Sequence, residues 1–217
     1  LAQAVPSSDV LILLDEKGAV TASNREELIG QNFADRYYFV EAKAKNDPAL
    51  RIISPLFKSV FGDQAAALSR SMSGPQGEFS GVAVIWLDLP FLGRLLAETR
   101  HAEDVWAALV HANGTLISGF PDGNKMNVDS IAVPGSFFTE HRASGKLGNT
   151  FSGTLLATGE NRLVAIQTLS LPQFSLDQAP VLIFSRQVDA VFLSWWQSTR
   201  ALILLLLVSA LGSGLAL

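Results

Sequence analysis

The chain has 217 residues, a formal net charge of −4 at pH 7 and a pI near 5.3. Nucleic-acid binding needs a basic face to neutralise phosphates, and this acidic balance excludes it. The absence of cysteine also excludes a disulfide framework, a thiolate nucleophile and Cys-based zinc or iron–sulfur centres.

Residues 10–15 (VLILLD) form a short apolar run of β type, Glu16-Lys17-Gly18 a turn, and residues 19–23 (AVTAS) the returning strand of a hairpin. The stretch 34–45 (ADRYYFVEAKAK) is predicted as a short helix with Asp35 as its N-cap, ended by Asn46-Asp47-Pro48. Residues 50–60, 65–72 and 81–87 read as three further strands, separated by Gly62-Asp63 and by Gly74-Pro75-Gln76-Gly77. A helix over 89–99 follows, with Pro90 in its first turn. The charged stretch 99–104 (TRHAED) then reads as a solvated link.

The same order of elements recurs. Residues 105–111, the turn Ala112-Asn113-Gly114 and residues 115–118 form a second hairpin, and residues 134–145 (PGSFFTEHRASG) take the place of the short helix. Residues 151–157, 162–169 and 180–185 supply three strands. Gly18 and Gly114 lie 96 positions apart, and Phe91 and Phe192 lie 101 apart. A period of this size points to duplication of one domain, each copy large enough for its own core. Each unit is expected as about five antiparallel strands with a helix between the second and third, an α+β layer architecture.

The last strand runs into a helix. Residues 187–200 (QVDAVFLSWWQSTR) contain no Gly or Pro, and Val188, Val191, Phe192 and Trp195 recur at helical spacing. Residues 201–217 are uncharged, bordered by Trp195-Trp196 and Arg200, and predict a membrane-spanning helix. Ser209, Gly212, Ser213 and Gly214 give it a small-residue face suited to helix packing. The chain starts at Leu1 without a signal-peptide pattern and stops within this apolar run, so a longer protein is expected.

In order, the first half reads Asp15-x-x-Gly18, N32-x-x-D-R-x-Y-F, Ile53-Ser54-Pro55, Leu68-Ser69-Arg70, G77-E-F-S-G-V and Leu87-Asp88. The second half adds N113-G-T-L-I-S and N161-R-L-V-A before the closing strand. This combination resembles the double-Cache domain, the tandem PAS-like extracytoplasmic sensor of bacterial sensor kinases, diguanylate cyclases and chemoreceptors. The resemblance implies a membrane-distal unit over 1–99, a membrane-proximal unit over 104–186 and a signalling helix over 187–217 that enters the membrane. It also implies a homodimer in the bacterial inner membrane, with roughly residues 1–200 in the periplasm.

The sharpest cluster is Asp35-Arg36-Tyr37-Tyr38-Phe39. Arg36 offers a planar fork of donors for a carboxylate, and the aromatic rings offer apolar walls with a phenol hydroxyl. In the amino-acid-binding members of the family, Arg-x-Trp-Tyr at this place and an Asp on a later strand hold the ligand. Here the match is Arg36-x-Tyr38-Phe39, with Asp88 in the place of that Asp. The same residues also admit a purely structural use, Arg36 pairing with Asp35 or capping the helix and the rings lying in the core. Ser54, Phe57, Arg70 and Trp86 join the candidates if strand registers turn them to one sheet face.

Catalysis finds no support. His101, His111 and His141 lie in the link, at a strand end and near a helix end, without metal-ligand spacing. No nucleophile–base pair, phosphate loop or dinucleotide fingerprint occurs. No catalytic residue, metal or cofactor is expected. The expected function is extracytoplasmic sensing of a small polar metabolite (an amino acid, carboxylate or amine) with transmission through the C-terminal helix. The alternatives are a ligand-free dimerisation or partner-binding scaffold of the same receptor, and a membrane-anchored solute-binding protein.

Overall fold

The computed structural model describes residues 10–121, 130–156 and 158–214. The first hairpin pairs β1 (Leu11–Asp15) with β2 (Val20–Ser23). Its turn is closed by the Asp15 carboxylate, which accepts from the backbone N–H groups of Lys17 and Ala19 at 2.9 and 2.8 Å. Gly18 sits at φ +82°, where a Cβ would lie 2.7 Å from the Ala34 backbone, so no other residue fits there.

α1 (Tyr37–Lys45) begins one residue later than expected. Its N-cap is Arg36, extended at φ −75° and ψ 139° without a side-chain capping bond, whereas Asp35 stays exposed. It ends as expected, on left-handed Asn46. The strand expected over 50–60 is instead two short pieces, β3 (Ile52–Ile53) and β4 (Phe57–Lys58). Pro55 has no N–H to give a ladder, and the chain leaves the sheet there. β4 pairs with β5 (Gln64–Ala65) in a small separate hairpin. β6 (Ala67–Ser73) and β7 (Phe79–Trp86) complete a five-stranded antiparallel sheet in the order β2-β1-β7-β6-β3.

α2 (Leu89–Glu98) has Asp88 as N-cap, its carboxylate accepting from Phe91 N–H at 2.8 Å. It does more than link. It packs against β8 (Trp106–Val110) and β9 (Leu116–Phe120), with Leu96 buried. α3 (Phe137–Ser144) is capped by Ser136 and leads to β10 (Gly148–Thr154), β11 (Asn161–Thr168) and β12 (Val181–Gln187). β10 starts three residues ahead of the expected 151–157, whose last residue lies outside the described residues. The second sheet runs β10-β11-β12-β8-β9. Taken from the hairpin edge, the two sheets have the same strand order, and each has a helix between its second and third strands.

Alternation sets which face of the first sheet is buried. Ile12, Leu14, Val82, Val84, Ser69 and Ser71 face inward against α1, and Tyr38 and Phe39 of that helix close the core. Each such aliphatic side chain contributes about 1.5–3 kcal/mol on leaving water. A separate cluster around Val110, Val164, Ile166, Val181 and Phe138 fills part of the second sheet's inner face.

α4 (Val188–Gly214) continues directly from β12. Among the described residues no helix is long and apolar enough to cross a membrane. The last three residues of the expected span, 215–217, lie outside the described residues, as do 1–9 of the expected first unit.

Candidate functional site

The start of α1 brings four of the predicted residues into one stack. The guanidinium of Arg36 lies 5.7 Å from the Phe57 ring centre and 6.0 Å from that of Phe33, and its Nη1 donates to the Lys58 carbonyl at 3.3 Å. Tyr38 packs on Phe57 at 5.5 Å, and Phe57 meets Trp86 edge-on at 5.8 Å. Phe61 adds a further edge contact to Trp86 at 6.0 Å. Such aromatic pairs contribute about 0.5–1.5 kcal/mol each beyond their buried area. Tyr38 is only 1% exposed, and that burial pushes its phenol well above the ordinary value, with the nearby Arg36 charge acting the other way.

Beyond this stack, at the end of β7, lies a cleft of about 590 Å³. Trp86, Phe61 and Pro90 form its apolar wall, and Arg25, Glu27, Asp63 and Asp88 supply its charges. Three carboxylates against one guanidinium make it acidic. The Trp86 indole N–H is buried with no hydrogen-bond partner among the described residues, an uncompensated donor that ordinarily costs about 1–3 kcal/mol. Asp88 and Trp86 were expected in the site. Arg25, Glu27 and Asp63 were not, because they lie in the turn after β2 and in the β4–β5 turn, where no periodicity marks a face.

The other predicted residues lie elsewhere. Tyr37 turns away from Tyr38 and meets the His111 ring edge-on at 6.0 Å. Burial is the main cause that raises its phenol, followed by the charges of Glu41 and Asp177. Ser54 is fully buried and is spent on the backbone: its Oγ accepts from Ala67 N–H at 2.8 Å. Arg70 is exposed on the opposite face, because Ser69 and Ser71 take the inward positions of β6. There it lines a shallow apolar cavity of about 520 Å³ with Leu11, Leu13, Leu68 and Ile85. The shared sheet face expected for Arg70 and Trp86 is therefore corrected.

A strap from the second half of the chain clasps the first. Arg51 forms a parallel bridge to Leu176, with Arg51 N–H donating to Ser175 at 3.0 Å and Asp177 N–H donating to Arg51 at 2.8 Å. Lys45 pairs with Asp177 at 3.0 Å. His111, 2% exposed, donates through Nε2 to the Ile53 carbonyl at 3.0 Å and accepts through Nδ1 from Asn113 N–H at 3.2 Å. The acceptor role of Nδ1 fixes that tautomer. His141 is likewise held, between Asn149 and Thr168 at 2.7 and 2.8 Å.

The link before β8 is not simply solvated. Asp104 accepts from one edge of the Arg186 guanidinium, from Nε at 3.1 Å and Nη2 at 2.8 Å, and from the Gln187 N–H at 3.0 Å. Beside it, Arg162 is fully buried, stacked 3.9 Å from the Trp106 ring centre. Arg162 also donates to Glu160 at 2.6 Å, to Ser185 Oγ at 3.1 Å and to the Asp104 carbonyl. These groups surround the point where β12 becomes α4.

No family model matches the chain, and no curated protein sequence does. Solved structures do match. The chain is similar to the extracellular domain assigned to the histidine kinase rpHK1S-Z16, at 19% identity and TM-score 0.72 over 88% of this chain and 76% of that one. It is also similar to the periplasmic sensory domain of the Campylobacter jejuni chemoreceptor Tlp1, at 15% identity and TM-score 0.62 over 85% and 73% of the two chains. The ligand-binding domain of the Pseudomonas fluorescens chemoreceptor CtaA in complex with L-isoleucine matches at 16% identity and TM-score 0.58, over 84% and 70%. At these identities the likeness establishes the fold, the antiparallel α+β architecture of extracellular sensor domains. Two of these neighbours are a periplasmic sensory domain and a ligand-binding domain of chemoreceptors.

Proposed function

We propose that this chain is the extracytoplasmic ligand-sensing module of a bacterial transmembrane signalling receptor, built as two Cache-type units in tandem and carrying no enzyme activity of its own. The repeated strand order supports the tandem reading. The observation that carries the sensing role is the cleft bounded by Trp86 and Asp88, in a fold shared with ligand-binding domains. Its wall of aromatic rings with a few convergent polar groups is the usual composition of a small-molecule site. The excess of carboxylates favours a ligand that carries an ammonium group, an amine or an amino acid, over a simple carboxylate.

Arg36, Tyr38 and Phe57 stand behind the cleft and hold Trp86 in place. Closure of the β4–β5 hairpin on a ligand moves this stack and α1, and the strap at Arg51 and Asp177 passes the shift to the second sheet. α4 receives it through Asp104 and Arg186. Leu202, Ile203, Leu204, Leu205 and Leu206 are each at least half exposed on this helix. Five consecutive apolar residues cover more than one helix face, so we assign this end to the membrane and to a second copy of the chain. A ligand needs to favour one of two arrangements by only a few kcal/mol to switch such a module.

Titration calorimetry of the chain against L-amino acids, primary amines and short carboxylates tests the reading. An ammonium-bearing ligand is expected to bind, and Asp88→Asn, which keeps the helix cap but removes the charge, is expected to weaken it at least about tenfold. Binding unchanged in both Asp88→Asn and Trp86→Phe would overturn the assignment. A second reading, a ligand-free scaffold, is favoured by the burial of Tyr38 and Phe39, which fill the inner face of the first sheet. It predicts no binding from any of the three classes.

A further inference from the structure

The inner face of the second sheet is not filled by its own side chains. A cavity of about 220 Å³ lies between this face and α3, walled by Ala108, Val110, Val164, Ile166, Phe137 and Leu155. The first sheet differs, since Tyr38 and Phe39 from α1 and Trp86 occupy its inner face. In the second sheet the small side chain of Ala108, opposite Ile183 on β12, leaves the space open.

Among the described residues no ionisable side chain lines this cavity. Four of its hydroxyls have partners: Ser136 Oγ donates to the Ile131 carbonyl at 2.8 Å and accepts from Thr139 N–H at 3.3 Å, Ser185 Oγ accepts from Arg162 Nε at 3.1 Å, and Ser130 Oγ and Thr158 Oγ1 accept from the N–H groups of Ala132 and Glu160 at 3.2 and 3.4 Å. A charged or zwitterionic molecule placed there loses its water and gains no counter-charge. An apolar cavity of roughly 150 Å³ stays dry and takes up benzene, and this one is larger.

We propose that the second sheet carries its own binding site for a small uncharged apolar molecule, a single aromatic ring or a short branched hydrocarbon. The site is separate from the Trp86–Asp88 cleft and does not rest on the function proposed for it. Ile183 and Ser185 of β12 form part of its wall, and the next residues are Arg186 and Gln187, which bind Asp104 at the start of α4. Occupancy is therefore felt directly at that junction, without passing through the first sheet.

The test is an NMR titration of the whole chain, methyl-labelled at Ile and Val, with benzene as the probe. Saturable shifts are expected at Val110, Val164, Ile166 and Ile183, with Val82 and Val84 of the first sheet unmoved. Ala108→Leu fills the space and is expected to lower benzene affinity at least tenfold, with Ala108→Val as the milder version should the first fail to fold. Serine, a zwitterion, is expected to leave these methyls unshifted. Absence of shifts at saturating benzene, equal shifts in the first sheet, or undiminished affinity in both variants would each overturn the proposal.

Discussion

Asp104 and Arg186 form a two-pronged ion pair, Nε to Oδ2 at 3.1 Å and Nη2 to Oδ1 at 2.8 Å, across 82 positions of sequence. The pair joins the segment entering the second sheet to the penultimate residue of β12, two positions before α4. Since Asp104 also accepts the Gln187 N–H, it fixes the direction in which the helix leaves the strand. A displacement of α4 that moves Arg186 or Gln187 has to carry this carboxylate with it or break these bonds.

Replacing Asp104 by Asn is expected to destabilise the fold by about 1–3 kcal/mol, because it removes a charge-assisted fork and leaves Arg186 without its partner. The hydrogen bond from Arg186 holds the Asp104 carboxyl below its ordinary value, with the Gln187 N–H adding to it and partial burial opposing. A depressed folded-state value means that this stability is fully present above the unfolded carboxyl value, near 3.9, and is lost as pH falls through the folded one. Denaturant titrations at pH 7 and at pH 3 check this. The gap between wild type and Asp104→Asn should narrow at the lower pH, and an equal gap at both would remove the ion pair as its cause.

Arg162 behaves differently because no water reaches it. Its charge is balanced by Glu160, the Ser185 hydroxyl, the Asp104 carbonyl and the Trp106 ring face. Truncation to Ala opens a void beside Trp106 and orphans these acceptors, with an expected loss of about 3–5 kcal/mol. Arg162→Met, which keeps the stem and drops the charge, should recover part of it. Thermal unfolding of the two variants, compared with wild type, gives the order.

These two arginines also show what the sequence can and cannot reveal. Hairpins, the end of α1 at Asn46 and the paired order of elements follow from local signals: alternation, Gly at left-handed turns and a polar break before a helix. The Asp104 junction has no local signal, since 99–104 reads as an ordinary charged link and its partner lies far along the chain. Trp86 and Asp88 both line the cleft, Trp86 as the last residue of β7 and Asp88, expected on a strand, as the N-cap of α2. Arg70 fell on the wrong face because register decides inward from outward by one position, and composition does not set register. Ser54-Pro55 broke a strand that the apolar run alone made continuous. Arg25, Glu27 and Asp63 come from turns, whose side chains converge only after the sheet is folded.

Gly18 and Gly114 hold equivalent turns in the two sheets, at φ +82° and +90°. A Cβ at Gly18 would meet the Ala34 backbone at 2.7 Å, and one at Gly114 would meet the Ala132 backbone at 2.8 Å. Alanine at either position combines a left-handed strain with a backbone clash and is expected to cost roughly 2–4 kcal/mol. Gly62 provides the contrast: it has φ +91° but nothing within 4 Å, so Gly62→Ala should cost only about 1–2 kcal/mol. Equal losses at all three would mean that backbone strain alone, without the close approach, governs these turns.

The strap at Asp177 gives the last prediction. Its carboxylate is 9% exposed, takes Lys45 through Oδ1 and leaves Oδ2 buried without a partner among the described residues. Among the described residues the strap's other hydrogen bonds to the first half all go to or from Arg51: from its N–H to Ser175, from Asp177 N–H to its carbonyl and from its Nη1 to the Phe174 carbonyl. The Lys45–Asp177 pair thus anchors the backbone bridge between Arg51 and Leu176. Asp177→Ala should therefore loosen the strap without unfolding either sheet. Hydrogen exchange should speed up at the amides of Arg51 and Asp177, while the strands β6, β7, β11 and β12 keep their protection. If the first sheet signals to the second through this strap, ligand bound at the Trp86 cleft will slow exchange at Gln187 in the wild type and leave it unchanged in Asp177→Ala. A ligand effect that survives the substitution would route the coupling through α2 instead, which already packs on β8 and β9.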